Sequence, residues 1–126
     1  MDNYTKVYNE ASNILKNVKD NISYYHPEKA LPLLKLATEK FLKSIIYFYE
    51  IPVNMEFYNI EDLIDLIEDK TTIKLPPFKD LLIELEYSYC EGGCSNQVFF
   101  KNLPTYYLQA VEDLKFFVEN ELGGLS

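Results

Sequence analysis

Apolar residues recur every three or four positions along almost the whole chain, and no sustained alternation of apolar and polar residues appears. That period is the helical one, which confines the chain to all-α architectures. Between Tyr4 and Tyr25 the stripe is Val7, Ala11, Ile14, Val18 and Ile22. "YYHP" ends this first helix, because Pro27 disfavours helical geometry in His26 and itself suits the first turn of a second helix. The second helix is expected to run to about Tyr49, with Leu34, Ala37, Phe41, Ile45 and Phe48 in step and Leu31, Leu42, Ile46 and Tyr49 widening the stripe. Pro32 lies inside it, so the first turn is separate or the helix kinks there. Asn59 can cap a short third helix with Glu61 and Asp62 in its first turn and Ile60, Leu63, Ile64 and Ile67 facing inward. Phe78, Leu81, Leu82, Leu85 and Tyr89 trace a fourth. The last begins near Pro104, carries Tyr107, Val111, Leu114, Val118 and Leu122, and stops at Gly123 and Gly124. These lengths and short connections predict an antiparallel bundle of four long helices with a shorter fifth, in one domain spanning residues 1–126.

Composition bounds what such a bundle can do. With 126 residues and 48% hydrophobic content, the chain can bury a core without cross-links. Its most apolar run, "KFLKSIIYFYEI", is interrupted by lysines well short of the roughly 20 residues a membrane span needs, and a cytoplasmic location is expected. The formal net charge is -8, and all 12 basic residues are lysine. A surface of that sign repels phosphates on average, so direct nucleic-acid binding is not expected. Without arginine, anion recognition is left to the lysine point charge alone.

The chain's two cysteines fall within "CEGGC", residues 90–94, directly after the fourth helix. Cys90 and Cys94 can be free thiols, a short-loop disulfide, or part of a metal or dimer-bridging site, with a reducing compartment favouring the first. Glu91 and one distant histidine supply at most a partial zinc set, so no metal and no cofactor is expected. Gly92 and Gly93 are most simply a helix stop, since neither phosphate-loop spacing is present. His26 reads as an exposed turn residue. Tyr24, Tyr25, Tyr87, Tyr89, Tyr106 and Tyr107 contribute to an aromatic content of 15% and suit interfaces, where a ring is half dry and half wet, although Tyr89 and Tyr107 also lie on core stripes. Glu39, Lys40 and Lys43 read as a solvated face with local charge pairing. Glu61, Asp65, Glu68 and Asp69 form an acidic strip that solubilises the third helix or receives a basic partner.

The run "ALPLLKLATEKFLKSIIYFYEIP" resembles the signature helix of the HEPN superfamily (higher eukaryotes and prokaryotes nucleotide-binding), with Ala37, Glu39, Lys40, Leu42 and Lys43 in its small-residue and "xEKxLK" pattern. "YNIEDLIDLI" is placed like that family's "HDLxxLL" helix and "LLIELEYSY" like its "LxxxYxxxRY" stretch, so the resemblance covers roughly residues 30 to 122. It implies a small helical bundle and, for active members, a ribonuclease built on an arginine and a following histidine. This chain has no arginine, its histidine precedes the second helix, Glu61 replaces the histidine of "HDL", and "YSYCEGGC" stands where the arginine normally lies. The resemblance therefore implies a non-catalytic module that binds a small nucleotidyltransferase, as in toxin–antitoxin pairs, or a second copy of itself as a homodimer. Tyr87, Tyr89, Cys90, Glu91 and Cys94 are its candidate contact residues. The alternative is a divergent RNA-processing or nucleotide-binding enzyme using Tyr87, Tyr89, Glu91 and nearby lysines.

Overall fold

The structure, a computed structural model, describes residues 3–21, 27–53, 58–88 and 105–123. They form five helices: α1 (Asn3–Asp20), α2 (Pro27–Phe48), α3 (Ile60–Lys70), α4 (Lys79–Ser88) and α5 (Thr105–Leu122). No strand occurs among the described residues. The protein is an all-α helical bundle. Three of its helices run 18 to 22 residues, while α3 and α4 have 11 and 10.

α2 is the central element and touches each of the other four. A helix packed on several sides must be apolar on several sides, and Ala30, Leu31, Leu34, Ala37, Phe41, Leu42, Ile45 and Ile46 are all buried. Its buried hydroxyls are satisfied inside the helix, Thr38 donating to the Leu34 carbonyl and Ser44 to that of Phe41. The helix continues unbroken through Pro32. So early in a helix, a missing N–H removes a single backbone hydrogen bond.

Cross-helix contacts set the direction of each helix. Tyr4 meets Phe48 and Glu10 pairs with Lys40, so α1 and α2 are antiparallel. Tyr8 reaches Glu119 and Lys19 pairs with Glu112, which makes α5 antiparallel to α1. Phe78 stacks edge-on to Phe117 while Glu84 receives Tyr107, and Ile60 meets Glu86 while Glu68 meets Lys79. α4 is thus antiparallel to both α5 and α3. It follows that α2, α3 and α5 share one sense.

Local signals hold at most helix ends. Asn59 caps α3 by accepting from the Asp62 N–H at 2.8 Å, and the Asp62 carboxylate accepts in return from the Asn59 N–H at 3.3 Å. α2 ends with the Glu50 N–H donating to the Tyr47 carbonyl and the Ile51 N–H to that of Ile46. These paired bonds require a left-handed residue, and Glu50 adopts it with φ +54° at a cost of about 1 kcal/mol relative to glycine. Gly123, at φ +62°, closes α5 without that cost.

Three expectations require correction. α1 buries Tyr8, Ala11, Leu15 and Val18, with Val7 and Ile14 only half-buried. Ala11 and Val18 are buried as expected, but Tyr8 and Leu15 replace their neighbours Val7 and Ile14 in the stripe, the large Tyr8 ring packing on Phe41 while its hydroxyl finds Glu119. The helix also ends at Asp20, where the Asn21 side chain folds back onto Asn17. At the far end of α2, Phe48 and Tyr49 are not core residues but stand 36% and 40% exposed, because no helix reaches beyond them.

Candidate functional site

α4 presents alternating attachments along its length. Leu82 and Leu85 enter the core, whereas Glu84 and Glu86 bind neighbouring helices. The Glu86 carboxylate accepts the Ile60 N–H at 2.8 Å, satisfying a free donor at the start of α3 and placing a negative charge at that helix's positive end. Its other oxygen lies 2.5 Å from the Lys35 ammonium of α2. Three helices thereby meet on one carboxylate whose side chain is only 10% exposed. Glu84 in turn accepts from the Tyr107 hydroxyl at 2.9 Å and ties α4 to α5. Burial, then the hydrogen bond to Glu84 and its charge, push the Tyr107 hydroxyl well above the ordinary tyrosine range.

Glu39 lies one turn beyond Lys35 on α2 and feels the same cluster. Burial raises the pKa of its carboxyl, Lys35 pulls it down, and the Glu86 charge pushes it up again, leaving it above its ordinary 4.5. Glu39 and Glu86 both feel Lys35, and Lys43 and Lys40 pull the Glu39 carboxyl down as well, without outweighing its burial. A folded pKa above the unfolded one means that the native state binds the extra proton, so the ionised Glu39 opposes folding at neutral pH and is relieved as pH falls through its raised value toward 4.5. Glu39→Gln should accordingly raise the thermal midpoint at pH 7, with the advantage over wild type shrinking to nothing by about pH 4. Parallel pH series of both proteins, followed by circular dichroism, read this; an advantage that grows on acidification would contradict it.

Next to these residues in the chain stand two exposed apolar side chains: Leu36, following Lys35, is 41% exposed, and Tyr87, following Glu86, is 68% exposed. The end of α4 therefore carries an exposed aromatic ring one residue away from a nearly buried, fixed charge. Among the candidate contact residues, Tyr87 is found on this outer face, while Tyr89, Cys90, Glu91 and Cys94, with their possible disulfide, lie outside the described residues, as do Tyr24, Tyr25 and His26. Tyr106 is exposed with its ring against that of buried Tyr107, at 4.6 Å between centroids. No group of three or more metal-ligating side chains occurs among the described residues. No helix among them is long and apolar enough to cross a membrane.

Two sequence readings change here. Glu39 is not merely part of a solvated face, because α4 brings Glu86 over it. Glu68 is not a solubilising member of the acidic strip: its carboxylate accepts the Leu75 N–H at 2.9 Å and both oxygens lie 3.2 Å from the Lys79 ammonium. Burial pushes its pKa up, but the Leu75 N–H and the Lys79 and Lys74 charges outweigh this and hold it below the usual range. Glu61, Asp62, Asp65 and Asp69 do remain exposed. Lys35 and Glu86 were missed altogether; the only available signal was the four-residue spacing of Lys35 and Glu39.

No family model, curated protein or solved structure matches this chain.

Proposed function

We propose that the protein is a non-catalytic, HEPN-like interaction module whose working surface is the outer end of α4 with the adjoining face of α2. The observation that carries this reading is Glu86. Its carboxylate is occupied by the Ile60 N–H and the Lys35 ammonium, which makes it a brace rather than a group free to move protons. Bracing of this kind holds Leu36 and Tyr87 on a rigid base, as a binding surface requires. The partner is a small nucleotidyltransferase, in a toxin–antitoxin-like pairing, or a second copy of the chain; direct binding to nucleic acid is disfavoured by the net charge of -8.

A second reading has one observation in its favour. The raised Glu39 carboxyl, next to Lys35, is the kind of perturbed acid that RNA-processing or nucleotide-handling enzymes use. One paired experiment separates the two. The purified chain is incubated with single-stranded RNA in the presence of a chelator, and its affinity for a nucleotidyltransferase encoded beside it is measured by calorimetry. The expected result is intact RNA, together with binding that weakens about tenfold in Tyr87→Ala, as for an exposed aromatic anchor. RNA cleavage that disappears in Glu39→Gln, Tyr89→Phe or Glu91→Gln would overturn the module reading in favour of the enzyme.

A further inference from the structure

At the opposite end of the bundle, where α1 begins and α2 stops, the described surface is aromatic. Tyr4 meets Phe48 edge-to-face with centroids 5.0 Å apart, and Phe48 meets Tyr49 in the same way at 5.0 Å. Tyr47 and Phe48 are each 36% exposed and Tyr49 40%, so this is a contiguous patch rather than scattered apolar residues. Tyr47 stands between two hollows. One, of about 450 Å³, is lined by Tyr4, Phe48, Glu50 and Ile51; the other, of about 250 Å³, by Lys6, Val7 and Glu10; Asn3 and Tyr47 border both.

The charges on the rim are arranged in a particular way. Glu10 is paired with Lys40. Lys6 and Glu50 are both exposed, have no ion pair among the described residues, and lie on opposite sides of Tyr47. A two-fold axis through the Asn3–Tyr47 border would exchange the two hollows. Each Tyr47, lying on the axis, would then meet the other copy's Tyr47, and each Lys6 would face the other copy's Glu50. That is the self-complementarity an isologous interface needs.

Charge also argues against the other faces. Two chains of net charge -8 repel. Pairing through α3 would bring exposed Glu61, Asp62, Asp65 and Asp69 together. Phe116 on α5 is 68% exposed, but the hollow beside it is bordered by Lys16, Lys19, Lys115 and Glu112 and by no second exposed large apolar side chain. Among the described residues lining the two hollows there is one cation and one anion without an ion pair, which balance across a two-fold. The left-handed backbone at Glu50 adds to this, since a side chain there costs stability that glycine would not and makes no ion pair with a described residue.

We propose that this aromatic end is a homodimer interface, with Tyr47 at its centre and reciprocal Lys6–Glu50 pairs on its rim. The inference rests on the self-pairing half of the reading above, but moves self-pairing from the outer end of α4, which it leaves to the other partner, to this opposite end. Light scattering of the full chain at micromolar concentration should return twice the 14.8 kDa chain mass. Tyr47→Lys should return the single-chain mass with the helical spectrum retained. Lys6→Glu and Glu50→Lys should each weaken the dimer by about tenfold, the size expected for a close interfacial charge pair, and the double variant should recover most of the loss. A wild-type chain of 14.8 kDa would overturn self-pairing itself. A dimer that persists in Tyr47→Lys, whether or not Phe116→Lys abolishes it, would overturn only the assignment of this surface. Failure of the double variant to recover would overturn the two-fold register.

Discussion

Glu86→Ala should destabilise the protein by about 3 kcal/mol, a large effect for one surface-adjacent carboxylate. Truncation removes the acceptor of the Ile60 N–H and a counter-ion 2.5 Å from Lys35 in one step. The first loss leaves a helix-terminal donor without its partner, worth about 1–3 kcal/mol where the group is dry. The second is smaller than for a fully buried pair, because Lys35 is 32% exposed and can rehydrate. Release of Glu39 from the Glu86 charge offsets part of the total. Glu86→Gln is the informative companion, since its amide oxygen can still accept from Ile60 while the charge is lost, and it should cost about half as much. Urea denaturation of the three proteins measures both differences. A Glu86→Ala cost below about 0.5 kcal/mol would show that Leu82, Leu85 and the Glu84–Tyr107 bond suffice to hold α4 and that Glu86 is not a structural brace.

Phe41→Ala should cost about 3–5 kcal/mol, the range for emptying a fully buried aromatic site. Phe41 is 0% exposed at the centre of α2, and its ring lies 5.8 Å from that of Tyr8 on α1. The Tyr8 hydroxyl donates to Glu119 on α5; burial, and then this hydrogen bond, push its pKa up to about 12. Removing the Phe41 ring therefore opens a cavity under a side chain that links three helices. Against a total stability of roughly 5–15 kcal/mol for such a domain, the variant should approach the edge of folding at room temperature. Phe41→Leu, which keeps most of the volume, should cost less than half as much. Equal costs for the two substitutions, measured in the same denaturant series, would show that the site collapses without leaving a cavity.

Much of the fold was legible in single segments. The capping box at Asn59, the four core positions of α3, the core stripe of α5 and its glycine stop all depend on residues within one or two turns of each other, so local pattern suffices to place them. α1 marks the limit of that reasoning. Val7 and Tyr8 are both plausible inward residues, and the choice fell to Tyr8 because Phe41 and Glu119 wait on other helices. Phe48 and Tyr49 continue an apolar stripe past the point where anything remains to bury them.

The candidate site was legible only in fragments, for the same reason. Tyr87 announces itself as an aromatic residue near a helix end, but nothing in the spacing of Lys35, Ile60 and Glu86 indicates that they meet. By itself the sequence determined that this chain is helical, where most helices begin and end, and which residues of α3 and α5 face inward, because hydrophobic period and capping act over about four residues or fewer. Only the tertiary structure decided which carboxylates became braces, which aromatics stayed wet, and that α2 and α3 run the same way. Those outcomes depend on contacts between residues 7 to 111 positions apart, and burial and charge pairing are properties of the assembled neighbours rather than of any one segment.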